Sequence, residues 1–461
     1  MSHPTRGATA ALAADLQGFE GQIITPEHDS YDKARSMFNG MIDRRPLMIA
    51  QCASTSDVVR AVSAGARAGA PVAVRGGGHN VAGNAMCDGG IAIDLSLMQR
   101  VEVDPQARVA RAQGGATWGI YDAATQAHGL ASTGGSVSST GIAGLTLGGG
   151  IGWLQRKLGL ACDNLLSVEA VLADGSVVEA NQKTNPDLFW ALRGGGGNFG
   201  VVTRFDYGVH LIGPIIYGGM LAHPLSRAVE VHRFVREFMA AAPREVAVVC
   251  GMITGPDGSR LIGVLCCHCG SVEAGEKALA PLVGFGQPVL NHVGPIPYLE
   301  MQRILDAAFP PGRRNYWKSS FLRTVDDDLI ATMADAYARS PSPFSALVLE
   351  AMGGAVRDIA DADTAVGFRA ADYNFLIVAS WVDSSADEAN RSWARDTFAR
   401  AAGHAIDVVY VNYLGSEEDE GANRIRSAYG ADKHRLLAGV KHRYDPRNLF
   451  RLNQNILPVA A

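Results

Sequence analysis

The sharpest chemical signal in this sequence is a histidine that ends a run of three glycines. Gly76, Gly77, Gly78, His79 and Asn80 directly follow residues 71–75 (PVAVR), a short apolar run that reads as a strand ending in Arg75. Glycine tolerates positive φ and lets backbone approach a ligand closely. Successive N–H groups in such a loop form a nest for an anion. His79 would then face whatever the loop holds. Further glycine clusters lie at residues 134–152, where eight glycines include Gly141, Gly144, Gly148 and Gly152, and at residues 193–202 (RGGGGNFGVV), which ends in Val202. A turn explains any one cluster. Their concentration between Gly76 and Gly200 points to one extended, phosphate-bearing ligand, and a dinucleotide is both. Residues 148–152 (GGGIG) match the Rossmann fingerprint poorly, because no short strand–turn–helix unit frames them.

Acid–base chemistry has its own candidates. Residues 315–318 (NYWK) place Tyr316 and Lys318 on one face of a strand, where the cation could lower the phenol's pKa or orient a substrate oxygen; a surface strand with a solvated lysine has the same pattern. Glu350 is a lone carboxylate in the apolar run 349–354 (LEAMGG), suited to a satisfied core position or to proton transfer. Residues 410–413 (YVNY) hold two tyrosines. On a strand, Tyr410 and Asn412 would share a face and Tyr413 would take the other, although the Leu414-Gly415 break that follows could turn either ring. Arg369 and Tyr373 are further polar candidates. The seven cysteines show no disulfide framework. Cys266-Cys267-His268-Cys269 has no second ligand pair nearby, so buried thiols and no metal are expected.

These residues need elements to position them. Residues 46–75 read as a β-α-β unit, with a helical crossover joining parallel strands. Strands at 91–94, 101–103 and 107–113, a helix at 117–129, and a hairpin of 165–172 and 176–180 around Asp174-Gly175 follow. A short helix at 187–192 and a strand at 201–207 complete this part. After residue 208 the glycines thin out. Long amphipathic helices (228–241, 387–402) alternate with strands (246–254, 375–381), the texture of a second α+β domain on an antiparallel sheet. A last helix stops at Tyr444-Asp445-Pro446.

Composition narrows the function further. The chain has 461 residues, 47% hydrophobic and 19% charged, with a net charge of −5. That balance suits a globular protein and gives no basic field for nucleic acid. No apolar run reaches the roughly 18 residues of a spanning helix, and residues 1–17 lack the apolar centre of a secretory signal, so a cytoplasmic protein away from membranes is expected.

Residues 71–84 (PVAVRGGGHNVAGN, including Gly83), 148–164 (GGGIGWLQRKLGLACDN) and 193–202 resemble the FAD-binding domain of the berberine bridge enzyme-like flavoproteins, within the vanillyl-alcohol oxidase and p-cresol methylhydroxylase group. The endings YVNY and 444–456 (YDPRNLFRLNQNI) resemble the same family. The likeness implies an α+β fold: a two-part FAD-binding domain, 1–208 and 409–461, around an inserted α+β substrate domain, 209–408, on an antiparallel sheet. It implies FAD bonded covalently through His79 to the flavin 8α-methyl carbon, and hydride transfer from an alcohol or amine carbon of a small organic substrate to flavin N5. Many members add a second link from a cysteine. The aligned residue here is Val137, so a single link and a more closed cleft are expected. Thr140 aligns where Val accompanies oxidases and bulkier residues accompany dehydrogenases, and it is nearly isosteric with Val. Molecular oxygen is therefore the expected acceptor, with a dehydrogenase or a non-catalytic flavin carrier as alternatives. In the family the base is often a tyrosine, which selects Tyr413, with Tyr410 second; Asn453, Gln454 and Asn455 would meet the flavin's pyrimidine edge. The sequence does not specify an oligomeric state.

Overall fold

A computed structural model describes residue 12, residues 16–415 and residues 422–459. The described residues form a four-stranded and a five-stranded sheet, a two-stranded pairing of Leu130–Ala131 with His210–Leu211, and one large sheet in the middle. The β-α-β unit is present: Met48–Gln51 leads into the helix Thr55–Ala68 and then into Val72–Arg75. Ser54 caps that helix by accepting from the Asp57 amide, and Gly69 ends it in the left-handed conformation. The two strands are parallel but not adjacent. Ile91–Asp94 lies between them, and Gln22–Ile24 closes the sheet antiparallel to Met48–Gln51. A second, five-stranded antiparallel sheet contains the expected hairpin, Leu165–Val171 with Val177–Asn181, and the strand Val201–Gly208 that leaves the last glycine cluster.

All strands of the large sheet come from residues 215–406, and all pair antiparallel. Its central order is Arg260–His268, Val246–Thr254, Ala346–Ala351, Tyr373–Trp381, Arg314–Leu322. One face is covered by the helices Ala228–Ala241, Asp327–Ala338 and Asp387–Ala401, whose Val231, Val235, Leu329, Met333 and Trp393 pack on Val248, Phe375 and Ile377. This is the burial an amphipathic helix requires. The other face looks toward the glycine loops. Buried pins hold the pieces together. Lys441 and Asp445 form an ion pair of 2.6 Å with both side chains fully covered, and the same ammonium donates to the carbonyls of Asn198 and Phe450. Asp445 accepts from the amides of Leu449 and Phe450. The Asp of the YDPRN run therefore fixes the turn that carries Asn453 to the glycine loops.

Candidate active site

Between the glycine loops and the open face of the large sheet lies a cavity of about 1120 Å³. One wall is mostly backbone. Residues 76–80, 135–137, 140–141, 143–145 and 195–198 line it. The loops bearing Gly77 and Gly141 meet backbone to backbone: a Cβ on Gly77 would sit 2.3 Å from the Gly141 amide nitrogen, and one on Gly141 would sit 2.3 Å from that of Gly77. Any larger residue would force the loops apart. A Cβ on Gly144 or Gly197, by contrast, would meet no atom within 4 Å, so these two glycines leave the cavity open. Asn80 fixes the loop end, donating to the Asn412 carbonyl at 3.2 Å.

His79 lines the same wall. Its ring stacks on Phe38, with centroids 3.8 Å apart and planes at 18°. Its Nε2 is covered and has no hydrogen-bond partner among the described residues. Burial pushes the imidazole down to about 4, so the ring is neutral at neutral pH. A neutral, unpartnered imidazole nitrogen keeps a lone pair available for bonding.

The other wall is side chain. Strand alternation brings Trp317, Val348, Glu350, Leu376 and Val378 to one face. Glu350 faces Asn374 across the strand pair, and the Asn374 amide donates to its carboxylate. Enclosure away from bulk water pushes the Glu350 carboxyl up to about 7, against the opposing effect of that hydrogen bond. This group was visible in the sequence as a carboxylate in an apolar run, but without the register its two readings could not be separated.

Two family models match the chain. One, the FAD binding domain, covers residues 46–181; the other, berberine and berberine like, covers residues 409–457. (R)-6-hydroxynicotine oxidase from Paenarthrobacter nicotinovorans is 30% identical, over 98% of this chain and 99% of that one. The chain belongs to the berberine bridge enzyme-like family of FAD-linked oxidoreductases. The crystal structure of 6-hydroxy-D-nicotine oxidase from Arthrobacter nicotinovorans superposes with a TM-score of 0.88 at 28% identity, covering 96% of this chain and 99% of that one. Glucooligosaccharide oxidase from Acremonium strictum, at 23% identity and a TM-score of 0.86 over 98% of this chain and all of that one, shares the fold and carries a 6-S-cysteinyl, 8α-N1-histidyl FAD. The α+β fold of the vanillyl-alcohol oxidase type and the enzyme class are thereby established.

The residues present fit FAD. The open ground above Gly144 and Gly197, the unpartnered His79 nitrogen, and an Asn453 whose Oδ1 is buried without a partner all face or border one cavity. Val137, Thr140, Gly141, Val202 and Asn412 line it as well. Among the described residues every cysteine is free and buried, and none lines the cavity. Cys162 packs with Val366 and Phe368, and burial drives its thiol far up.

YVNY is not a strand. Val411–Tyr413 forms one 3₁₀ turn, which brings residues three apart onto one side. The Tyr410 and Tyr413 rings therefore meet edge to face, 4.9 Å apart, and both line the cavity. They differ in their hydroxyls. That of Tyr410 accepts from the Gly150 and Ile151 amides at 3.1 and 3.3 Å and from Asn412 Nδ2 at 2.8 Å. That of Tyr413 has no hydrogen bond among the described residues, and its ring packs on Trp317 at 5.7 Å. Burial chiefly, then the Glu350 and Tyr410 charges, hold the Tyr413 phenol well above its usual pKa, so it stays protonated.

Several expected site residues lie elsewhere. Tyr316 and Lys318 do share a strand face, but it is the face turned to the helices: Lys318 lies 5.5 Å from the Tyr316 ring centroid and 5.9 Å from that of Phe398, and Arg395 donates to the Tyr316 hydroxyl. The residue between them, Trp317, has the cavity. Arg75 pairs with Asp94, its register neighbour across the parallel strands, beneath the loop rather than in the cavity. Gly83, Gly148, Gly152 and Asn455 also lie outside the lining. A Cβ on Gly148 would strike Asn412 Oδ1 at 2.2 Å, and one on Gly152 would strike the Gly134 carbonyl at 1.8 Å, so these two glycines serve packing. Arg369 is tied to Asp163 at 2.6 Å.

Proposed function

We propose that this enzyme oxidises an alcohol or amine carbon of a small organic substrate, with FAD held covalently by His79 alone and molecular oxygen as acceptor. In this reading residues 1–208 and 409–461 hold the cofactor, and residues 209–408 supply the substrate wall. The observation that carries it is the convergence on one cavity of a neutral, unpartnered His79 and a carboxyl poised near neutrality, with no cysteine in the lining among the described residues. The flavin, when bound, supplies the two-electron chemistry by taking a hydride at N5.

The chain's own groups manage the proton. Glu350, deprotonated above about pH 7, is the group suited to take it from the substrate's hydroxyl or amine. Among the described residues Tyr413 has no nearby cation of the kind a phenolate base needs, and Lys318 is on the far side of the sheet. It serves instead as a hydrogen-bond donor that orients the substrate heteroatom. Trp317, Leu376 and Val378 keep the surroundings apolar, which preserves the raised pKa of Glu350. Thr140 lines the cavity and is compact, which supports oxygen access over a dehydrogenase. Stopped-flow mixing of anaerobically reduced holoenzyme with air-saturated buffer tests the oxidase reading. Reoxidation within seconds is expected; reoxidation over many minutes would make the enzyme a dehydrogenase.

A further inference from the structure

Among the described residues, only two formally charged side chains line the cavity. Glu350 is one. Arg313 is the other, and it stands at the opposite end. Phe344 marks that end: it is 42% exposed, and the Arg313 guanidinium carbon lies 4.0 Å from its ring centroid. Phe344 precedes Glu350 by six residues, so the trough along this segment is up to about 20 Å long at roughly 3.3 Å per extended residue.

The setting of Arg313 is unusual within its own neighbourhood. The next residue, Arg314, makes a two-pronged pair with Asp387, both contacts at 2.5 Å. Arg313 has no carboxylate partner among the described residues. One of its five N–H donors reaches the Ala308 carbonyl at 3.2 Å. Its guanidinium is half-exposed, burial is what lowers its pKa, and no anion compensates its charge among the described residues. Its backbone is firmly placed. The Arg313 carbonyl accepts from the Gly40 amide at 2.8 Å, and Gly312 donates to the Phe38 carbonyl at 2.9 Å; Phe38 is the ring stacked on His79. The arginine is thus positioned by the same segment that packs on the proposed cofactor ligand.

We propose that Arg313 is the specificity residue of this enzyme, and that its substrate carries a carboxylate at the end remote from the oxidised carbon. The proposal rests on reading this cavity as the oxidation site. A guanidinium held over an aromatic ring keeps the N–H donors at its edge for a carboxylate, which accepts two parallel bonds from such a fork. The oxidised carbon sits toward Glu350 and Tyr413, the carboxylate sits at Arg313, and an apolar body spans the trough between them. A neutral analogue leaves the guanidinium without an anion and binds more weakly.

The test is equilibrium titration of the holoenzyme with 6-phenylhexanoate and with its neutral counterpart 6-phenylhexanamide, read by flavin difference absorbance and by tryptophan fluorescence, with no turnover required. Wild type should bind the carboxylate at least about tenfold more tightly than the amide, as charge-assisted bonds to a partly desolvated cation imply. R313Q should erase that preference and leave amide binding unchanged. R313K, which keeps the charge but not the fork, should retain only part of it. Equal binding of the two probes to wild type, no detectable carboxylate binding, or an equal loss of both probes in R313Q would each overturn the proposal. The outcome is separable from the oxidase reading. Slow reoxidation with an intact carboxylate preference fails the oxidase and keeps Arg313, whereas fast reoxidation with no preference does the reverse.

Discussion

The two walls of the cavity are built by opposite means. The glycine wall is backbone against backbone, with Gly77 and Gly141 so close that neither tolerates a side chain. The sheet wall is side chain on a regular scaffold, where one residue in two faces the cavity. Close approach removes choice from the sequence, so the glycine wall announces itself residue by residue. Alternation only halves the choice, so the sheet wall stays ambiguous until its parity is known. The difference also sorts the consequences of mutation: damage to the first wall should remove the enzyme, and damage to the second should change what it does.

The largest effect is expected from Gly77→Ala. Its methyl group would fall on backbone that cannot yield, at a cost on the order of 3 kcal/mol or more, and flavin-bearing protein should largely vanish from purified material. Absorbance at the flavin band per mole of protein, with the thermal midpoint, checks this.

Glu350→Gln should leave the flavin in place and lower kcat by roughly 10²–10⁴-fold. In the parent enzyme kcat/KM should rise with pH and level off above about 7, because the deprotonated carboxylate is the active form. The same group has a stability signature. Its folded pKa lies above the unfolded value, so the stability it contributes is complete at low pH and is lost as pH rises through about 7. Glu350→Gln should therefore raise the thermal midpoint at pH 8, and change it little at pH 4.

The tyrosine pair sharpens the contrast at one point. Tyr413→Phe should slow turnover roughly tenfold to a hundredfold with little change in thermal midpoint. Tyr410→Phe strips the acceptor from three N–H donors and should cost about 1–3 kcal/mol of stability with a smaller effect on rate. If Tyr410→Phe proves the slower enzyme, the division between a pinning ring and an orienting ring is wrong. Smallest of all, Lys318→Met should leave kcat within about twofold, since the lysine lies on the helix side of the sheet.

Much of this was legible in the sequence, for identifiable reasons. His79 and its glycine loop, the β-α-β unit and the Asp174-Gly175 hairpin all rest on local conformational demands, and they stand where those demands place them. The alternation correctly puts Tyr316 and Lys318 on one face and fits either side of the sheet; only packing of the strand on Asp387–Ala401 decides that they face the helices and not the cavity. YVNY looked extended because nothing local forbids it. Its 3₁₀ turn arises where Tyr410 is captured by the amides of Gly150 and Ile151, some 260 residues away in sequence. Arg75 lies in the stretch 71–84 that resembles a FAD-binding domain, yet its side chain is taken by Asp94, which reaches it only through the parallel pairing. Ile91–Asp94 inserted between the two strands for the same reason, since local sequence carries no strand order. Long-range contacts account for every one of these differences.

The most direct test of the central claim is acid precipitation with intact-mass measurement, on wild type and on His79→Ala. A yellow wild-type pellet, a mass gain of one FAD, and loss of both in the variant are the predicted result. A pellet that stays yellow in His79→Ala would contradict it, because the flavin would then be bonded through some other residue.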